Sequence, residues 1–193
     1  MTNRGSGKRD LGKLRVIGGQ WRSRVIEFDA ADGVRATPDR VRQTVFDWLT
    51  PLIAGSRCLD LFAGSGAMGI EALSRGAAHC TFVDQGGPQC QRIKSTLETF
   101  KATGAEVTRM DAIYFIQQTW HRYNIVFLDP PYESDLLAQA LPELAKILNP
   151  VSNRVYMEWT GAKAPTLPPG FEFVREKRAG QVCFGLATFH SAA

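Results

Sequence analysis

The stretch Cys58-Leu59-Asp60-Leu61-Phe62-Ala63-Gly64-Ser65-Gly66-Ala67-Met68-Gly69 limits what this chain can fold into more than any other. An apolar run ends in an acid, crosses closely spaced glycines and enters a second apolar segment, which reads as strand, tight loop and helix. The residues that follow repeat the theme. Strands are predicted at 57–62, 80–83, 106–110, 125–128 and 154–159, with helices at 67–75, 88–101, up to 120, and 136–148. Repeated β-α units give a parallel sheet covered by helices on both faces. Residues 160–170, with three prolines, read as a surface loop. Strands at 171–178 and 182–189, joined around Ala179-Gly180-Gln181, then close the sheet as an antiparallel hairpin and bring it to seven strands.

The chain ahead of this block is different. Residues 14–18 and 24–28 alternate like short strands around the turn-rich Gly18-Gly19-Gln20-Trp21-Arg22-Ser23, which predicts a separate β-hairpin. A helix opens at Asp39 behind Pro38, with Thr37 or Asp39 as its cap and Val41, Val45, Phe46, Leu49 and Leu52 at helical spacing. Charge is uneven. Seven basic side chains against Asp10 give residues 1–24 a charge of +6, so with +4 overall the other 169 residues carry −2. A basic arm on a slightly acidic body suits a polyanionic partner.

Composition excludes several classes. With 44% hydrophobic and 22% charged residues the chain is globular rather than disordered. No apolar run approaches the roughly 18–20 residues of a membrane helix, and no apolar leader follows Met1, so no membrane partner is expected. Cys58, Cys80, Cys90 and Cys183 lack C-x-x-C spacing and read as reduced cytoplasmic thiols. His79, His121 and His190 are scattered, so no metal is expected.

Gly64, Gly66 and Gly69 match G-x-G-x-x-G, and Asp84 lies 20 residues past the first glycine, which on spacing alone is the dinucleotide fingerprint. Asp60 opposes that reading. A carboxylate beside the loop disfavours a pyrophosphate but favours the sulfonium and ammonium of S-adenosylmethionine. Too little chain follows, moreover, for a dehydrogenase substrate domain. Asp84 ends the second strand of the block, where it can accept both ribose hydroxyls, and Asp111 follows the third, where it can face an adenine amine or merely cap a helix. Phe62, Ala63, Gln85 and Ala112 complete the expected cofactor site. The predicted fold is therefore α/β, a Rossmann-like class I methyltransferase fold.

The buried strand 125–128 ends in Asp129-Pro130-Pro131-Tyr132. Two prolines fix the backbone and remove N–H groups, so a carboxylate and a rigid carbonyl sit side by side as a fork of acceptors. An exocyclic amine on a nucleobase is a poor nucleophile because its lone pair is delocalised. Two acceptors on its hydrogens bias it toward tetrahedral geometry, and the aromatic ring can stack on the base. Positioning and preorganised charge carry such a reaction.

These segments, with Arg15-Val16-Ile17-Gly18-Gly19-Gln20-Trp21-Arg22 and Thr37-Pro38-Asp39-Arg40-Val41-Arg42, resemble the bacterial 16S rRNA guanine-N2 methyltransferase family, RsmD, over nearly the whole chain from Leu14. The resemblance implies methylation of a guanine 2-amino group in 16S rRNA, on an assembled or nearly assembled small subunit. A monomer is expected. Departures are Arg35-Ala36-Thr37 where the family reads Arg-Pro-Thr, Gln43 where Glu is common, and no Asn near the end of the helix after Asp84. Residues 1–12 are expected as a flexible basic tail, 13–36 as an RNA-binding hairpin extension and 37–193 as the methyltransferase domain. Arg15, Arg22, Arg24, Arg40 and Arg42 are the expected phosphate contacts, and Trp21 either stacks on a base or packs on the hairpin. Rival readings are an adenine-N6 or cytosine-N4 methyltransferase, a methyltransferase of a protein glutamine amide, an NAD-dependent oxidoreductase and a non-catalytic RNA-binding protein. Raising salt from about 50 to 200 mM should weaken RNA binding strongly. A binding constant flat over that range in a filter-binding titration would count against the basic arm.

Overall fold

The computed structural model describes residues 11–29, 37–131, 134–161 and 163–190. Two strands come first. β1 (Leu11–Arg15) and β2 (Val25–Asp29) pair antiparallel as a sheet of their own, with a short 3-10 turn at Gly19–Trp21 between them. The expected hairpin is present, but its first strand begins three residues earlier than its apolar pattern suggested and takes in Leu11 and Gly12, which the sequence reading had assigned to the tail. Helix α1 (Asp39–Ile53) follows; neither Thr37 nor Asp39 caps it, because the cap position is Pro38, and Asp39 lies in the first turn.

The alternation then runs as expected through β3 (Arg57–Asp60), α2 (Ala67–Ser74), β4 (His79–Asp84), α3 (Gly87–Thr99), β5 (Ala105–Arg109), α4 (Ala112–Gln118), β6 (Ile125–Leu128), α5 (Leu136–Leu144) and β7 (Arg154–Thr160). β8 (Phe171–Ala179) and β9 (Val182–Phe189) form the closing hairpin. α5 stops four residues short of its predicted end, two residues past Pro142, and Ile147 and Leu148 turn inward as core residues instead. The sheet order is β5-β4-β3-β6-β7-β9-β8, parallel except where β9 pairs with β7 and β8.

Strand alternation sorts the core into two layers. Cys58, Phe82, Phe127 and Tyr156 face one side with the apolar residues of α1, α2 and α3. Leu59, Val83, Val126 and Met157 face the other with those of α4 and α5. Being apolar on both faces, β6 is buried at all four positions. The order reverses between β3 and β6. In an open α/β sheet a ligand crevice opens at that switch point, outside the carboxyl ends of the strands.

The N-terminal hairpin is fastened to this layer chiefly at Glu71, with a second tie where Arg92 of α3 donates to the buried Asp29 at 2.6 and 2.9 Å. All eight residues of α2 are buried, among them Glu71. Its carboxylate accepts the amides of Ile17 and Gly18, both at 2.8 Å, and the Arg75 Nε at 2.7 Å. The fully buried Arg42 sets its guanidinium 3.7 Å from the same carboxylate and donates to the Arg15 carbonyl at 2.8 Å. Ser74 adds two bonds, donating to the Gly18 carbonyl at 2.6 Å and accepting the Trp21 amide at 3.0 Å. Glu71→Ala would leave Arg42 buried beside an empty site and two amides unmade. We expect a loss of about 3–5 kcal/mol in urea unfolding; a loss no larger than that of a surface substitution would refute the assignment.

Candidate active site

Four carboxylates gather at the carboxyl ends of neighbouring strands. Asp60 ends β3, Asp84 ends β4, Asp129 follows β6, and Glu158 lies near the end of β7. Period-two alternation puts them on the α1–α3 side of the sheet, two residues beyond Cys58, Phe82, Phe127 and Tyr156. Register brings them together, since Asp60 pairs with Phe127 and Leu128 with Met157, so Asp129 and Glu158 leave adjacent strands side by side.

Each carboxylate has a local task as well. Asp60, 4% exposed, accepts the Gly69 amide at 2.9 Å and so ties the start of α2 to the end of β3. Asp84 accepts the amides of Gly64 at 2.8 Å and Gly86 at 2.7 Å. These bonds hold the glycine loop itself, a use of Asp84 that the sequence does not suggest. Gly66 takes φ 73° at the helix start. A Cβ on Gly69 would come within 2.3 Å of the Phe82 ring, so only glycine lets α2 lie this close to β4. Of the remaining expected cofactor residues, Ala63 is buried and Phe62 half-buried at the loop. Asp111 caps α4 by accepting the Tyr114 amide at 2.9 Å and also accepts the Gln85 side chain at 2.6 Å, with Ala112 buried beneath. The capping reading of Asp111 is thus met, and its contact with Gln85 still leaves it on the rim.

The electrostatics are those of crowded negative charge. Burial first, and then nearby Asp84, push the Asp60 carboxyl up to about 7, against the Gly69 hydrogen bond that lowers it. Burial, Glu158 and Asp60 together hold Asp129 well above the usual carboxylate range. Glu158 is buried and accepts the Tyr156 hydroxyl. Sequence reading overlooked it, although it is the one acid in β7 and sits between the apolar Met157 and Trp159. Among the described residues these acids do not converge as a metal-binding group. The donor set suits an organic cation lying along the rim, which is what the methionine end of S-adenosylmethionine presents.

Pro130 is buried and Pro131 exposed, and the Pro131 carbonyl accepts both the amide and the hydroxyl of Ser134, at 3.1 and 2.6 Å. Tyr132 lies outside the described residues.

The expected RNA contacts divide. Arg15, Arg22 and Arg40 are exposed. Arg42 is not an RNA contact, because its side chain is wholly buried on Glu71 and Asp39. Trp21 packs rather than stacks on a base; it is 7% exposed, with its ring 5.4 Å from that of Phe100. Arg24 is exposed, but lies 4.0 Å over the Phe100 ring and donates to the Thr99 carbonyl at 2.9 Å. Since Thr99 ends α3, the hairpin turn sits at the amino edge of the sheet, away from the carboxylate rim.

Comparison with known proteins identifies the family. The family model described as Conserved hypothetical protein 95 matches residues 14–188. Ribosomal RNA small subunit methyltransferase D of Escherichia coli is 41% identical over 178 residues, which is 91% of this chain and 89% of that protein. The protein of the same name from Haemophilus influenzae is 37% identical over 181 residues, 91% and 93% of the two chains. The chain belongs to the RsmD family. A solved structure of a putative methyltransferase from Escherichia coli superposes with a TM-score of 0.84 at 40% identity, covering 94% of this chain and all of that one. The segments that carried the RsmD resemblance now have physical roles: 15–22 dock on Glu71 and Ser74, 37–42 deliver Arg42 to the same carboxylate, and 60–69 form the loop beside the rim. No described helix is long and apolar enough to cross a membrane.

The raised Asp60 carboxyl has a measurable consequence. Between 3.8 and about 7 the folded protein holds a proton that the unfolded chain releases, so this group's contribution to stability falls as pH rises through that window and is level above it. Asp60→Asn removes the loss. We expect the variant's melting temperature to exceed that of the parent at about pH 8, with little difference near pH 4. An equal shift at both values in thermal melts would remove Asp60 as the source.

Proposed function

We propose that this chain is an S-adenosylmethionine-dependent methyltransferase acting on the exocyclic N2 amine of a guanine in 16S rRNA. The observation that carries the reading is the placement of Asp129 one strand over from Asp60 and the glycine loop, at the switch point of the sheet. When bound, S-adenosylmethionine supplies a methyl group on a sulfonium, an electrophile that needs no metal. Asp60 and Asp84 form the negative wall for its charged end and ribose, while Gln85, Asp111 and Ala112 border the adenine.

Asp129 accepts one hydrogen of the target amine. The carbonyl of Pro130 accepts the other, since that of Pro131 is taken by Ser134. Positive charge developing on the amine nitrogen relieves the repulsion that Asp129 feels from Glu158 and Asp60, so the site is preorganised for that charge. A base reaches such a fork only if it is everted, and Tyr132 is the ring proposed to stack on it. Arg15, Arg22 and Arg40, all exposed, are the proposed phosphate contacts, and the relatives named for small-subunit ribosomal RNA support the substrate. We take the protein to act as a monomer on the assembled or nearly assembled subunit. The same fork can serve adenine N6 or cytosine N4, and product analysis separates these.

Labelled S-adenosylmethionine incubated with unmethylated small subunits should yield N2-methylguanosine on nucleoside analysis. Asp129→Ala should lower the rate by roughly 100-fold or more while sparing RNA affinity. An unchanged rate would defeat the role given to Asp129, and a different methylated nucleoside would correct the target.

A further inference from the structure

The amino edge of the sheet has the opposite character to the rim. Five connections reach it ahead of the parallel strands: residues 54–56, 75–78, 100–104, 119–124 and 145–153. None contains Asp or Glu, and they carry Arg75, Lys101, Arg122 and Lys146. Arg57, His79 and Arg154 start the strands they feed. Arg24 joins this edge through Thr99, at the end of α3. Five parallel strands spaced about 4.8 Å apart make the edge roughly 19 Å long, enough to face several phosphates.

One aromatic residue stands out on it. Trp120 is 83% exposed, whereas Trp21 and Trp159 are buried and Trp48 stacks on Phe184. Its ring lies 4.0 Å from that of His121, tilted by 39°, so the two form a two-ring platform beside Arg122. Arg122 is held by the Lys146 carbonyl, which joins the loops ahead of β6 and β7. Carboxylates do approach the edge from its flanks. Glu143 pairs with Lys146 at 2.5 Å, and Glu106 comes within 4.0 Å of His79. Glu98, exposed in the last turn of α3, is a third, but Arg57, Lys101, Arg122, Lys146 and Arg154 outnumber these carboxylates and leave the edge basic. Burial first, and then Arg57, hold His79 below the ordinary histidine value, so it adds no fixed charge.

A solvated aromatic platform set in a band of cations matches the chemistry of unpaired RNA, with bases stacking on rings and phosphates meeting guanidinium and ammonium groups. We propose that the amino edge of the sheet is a second RNA-contacting surface, remote from the methyl-transfer site, in which Trp120 stacks on an unpaired base and Arg122, Lys146, Lys101 and Arg24 take phosphates. This surface rests on the reading of the substrate as structured ribosomal RNA. It gives the enzyme a hold on the particle that does not depend on the target nucleotide.

The test is equilibrium binding of the full chain to unmethylated small subunits between about 50 and 200 mM salt. Trp120→Ala should weaken binding by roughly fivefold or more with its salt slope kept, because stacking carries no charge. Arg122→Ala should make the slope of log affinity against log salt shallower by about 1. Both variants should keep the parent's turnover once subunits saturate. Parent-like affinity and slope in both variants would overturn the surface while leaving the catalytic reading intact. Weaker binding by Arg122→Ala with an unaltered slope would put a protein rather than RNA on the patch, and would overturn it too. No saturable binding by the parent would remove the substrate reading, and this inference with it.

Discussion

A single buried carboxylate holds the molecule's three separate parts in one arrangement. Glu71 sits on the helix that follows the glycine loop, yet its partners come from the hairpin, from α1 and from its own helix one turn on. A charge buried this completely is tolerable only when its oxygens are filled. Two amides and two guanidinium groups fill them, and each fixes a different segment. The hairpin shares no backbone ladder with the main sheet. Its docking therefore depends on side chains: this polar hub, the two Ser74 bonds, the Arg92–Asp29 pair, Arg24 on Thr99, and Val16, Trp21 and Ile26 packed into the main core. The same helix bears Gly69, whose amide Asp60 holds, so the hairpin and the glycine loop are mounted on one short rod.

The rim places like charges together where burial already disfavours them. Asp60 and Asp129 are both held above the ordinary carboxylate range, with Glu158 and Asp84 among the causes. Such an arrangement is unfavourable in the free protein and becomes favourable when positive charge arrives. Sites that perturb carboxylates by burial and by one another are where chemistry is commonly found. Here the gathering follows from topology, because β3 and β6 are neighbours at the point where the strand order turns back.

Much of this was legible in the sequence. The alternation of β and α segments, the closing hairpin and the acids at strand ends each depend on local patterns, and each was found close to its predicted place. β6 matched its predicted bounds because a short apolar run between Asn124 and Asp129 leaves little choice. β1 was misplaced because Val16 and Ile17 read as strand, whereas Val16 is a core residue past the strand's end and the Ile17 amide is used by Glu71. Arg42 illustrates a deeper limit. An arginine in a basic run looks like a phosphate ligand, and only the fold reveals a carboxylate 29 residues away waiting for it. Glu158 escaped notice for the same reason, since its neighbour Asp129 is distant in sequence and adjacent only through the pairing of β6 with β7.

The opposed signs of the two sheet edges carry a consequence for selectivity. Under the proposed function, the end that bears Asp60, Asp84, Asp129 and Glu158 disfavours a nucleic-acid backbone to the extent that these groups are ionised, while the proposed basic edge attracts it. An uncharged heterocycle feels no such repulsion. On that reading the carboxylate end would work as a sieve, holding phosphodiester off while a nucleobase swung clear of its strand enters.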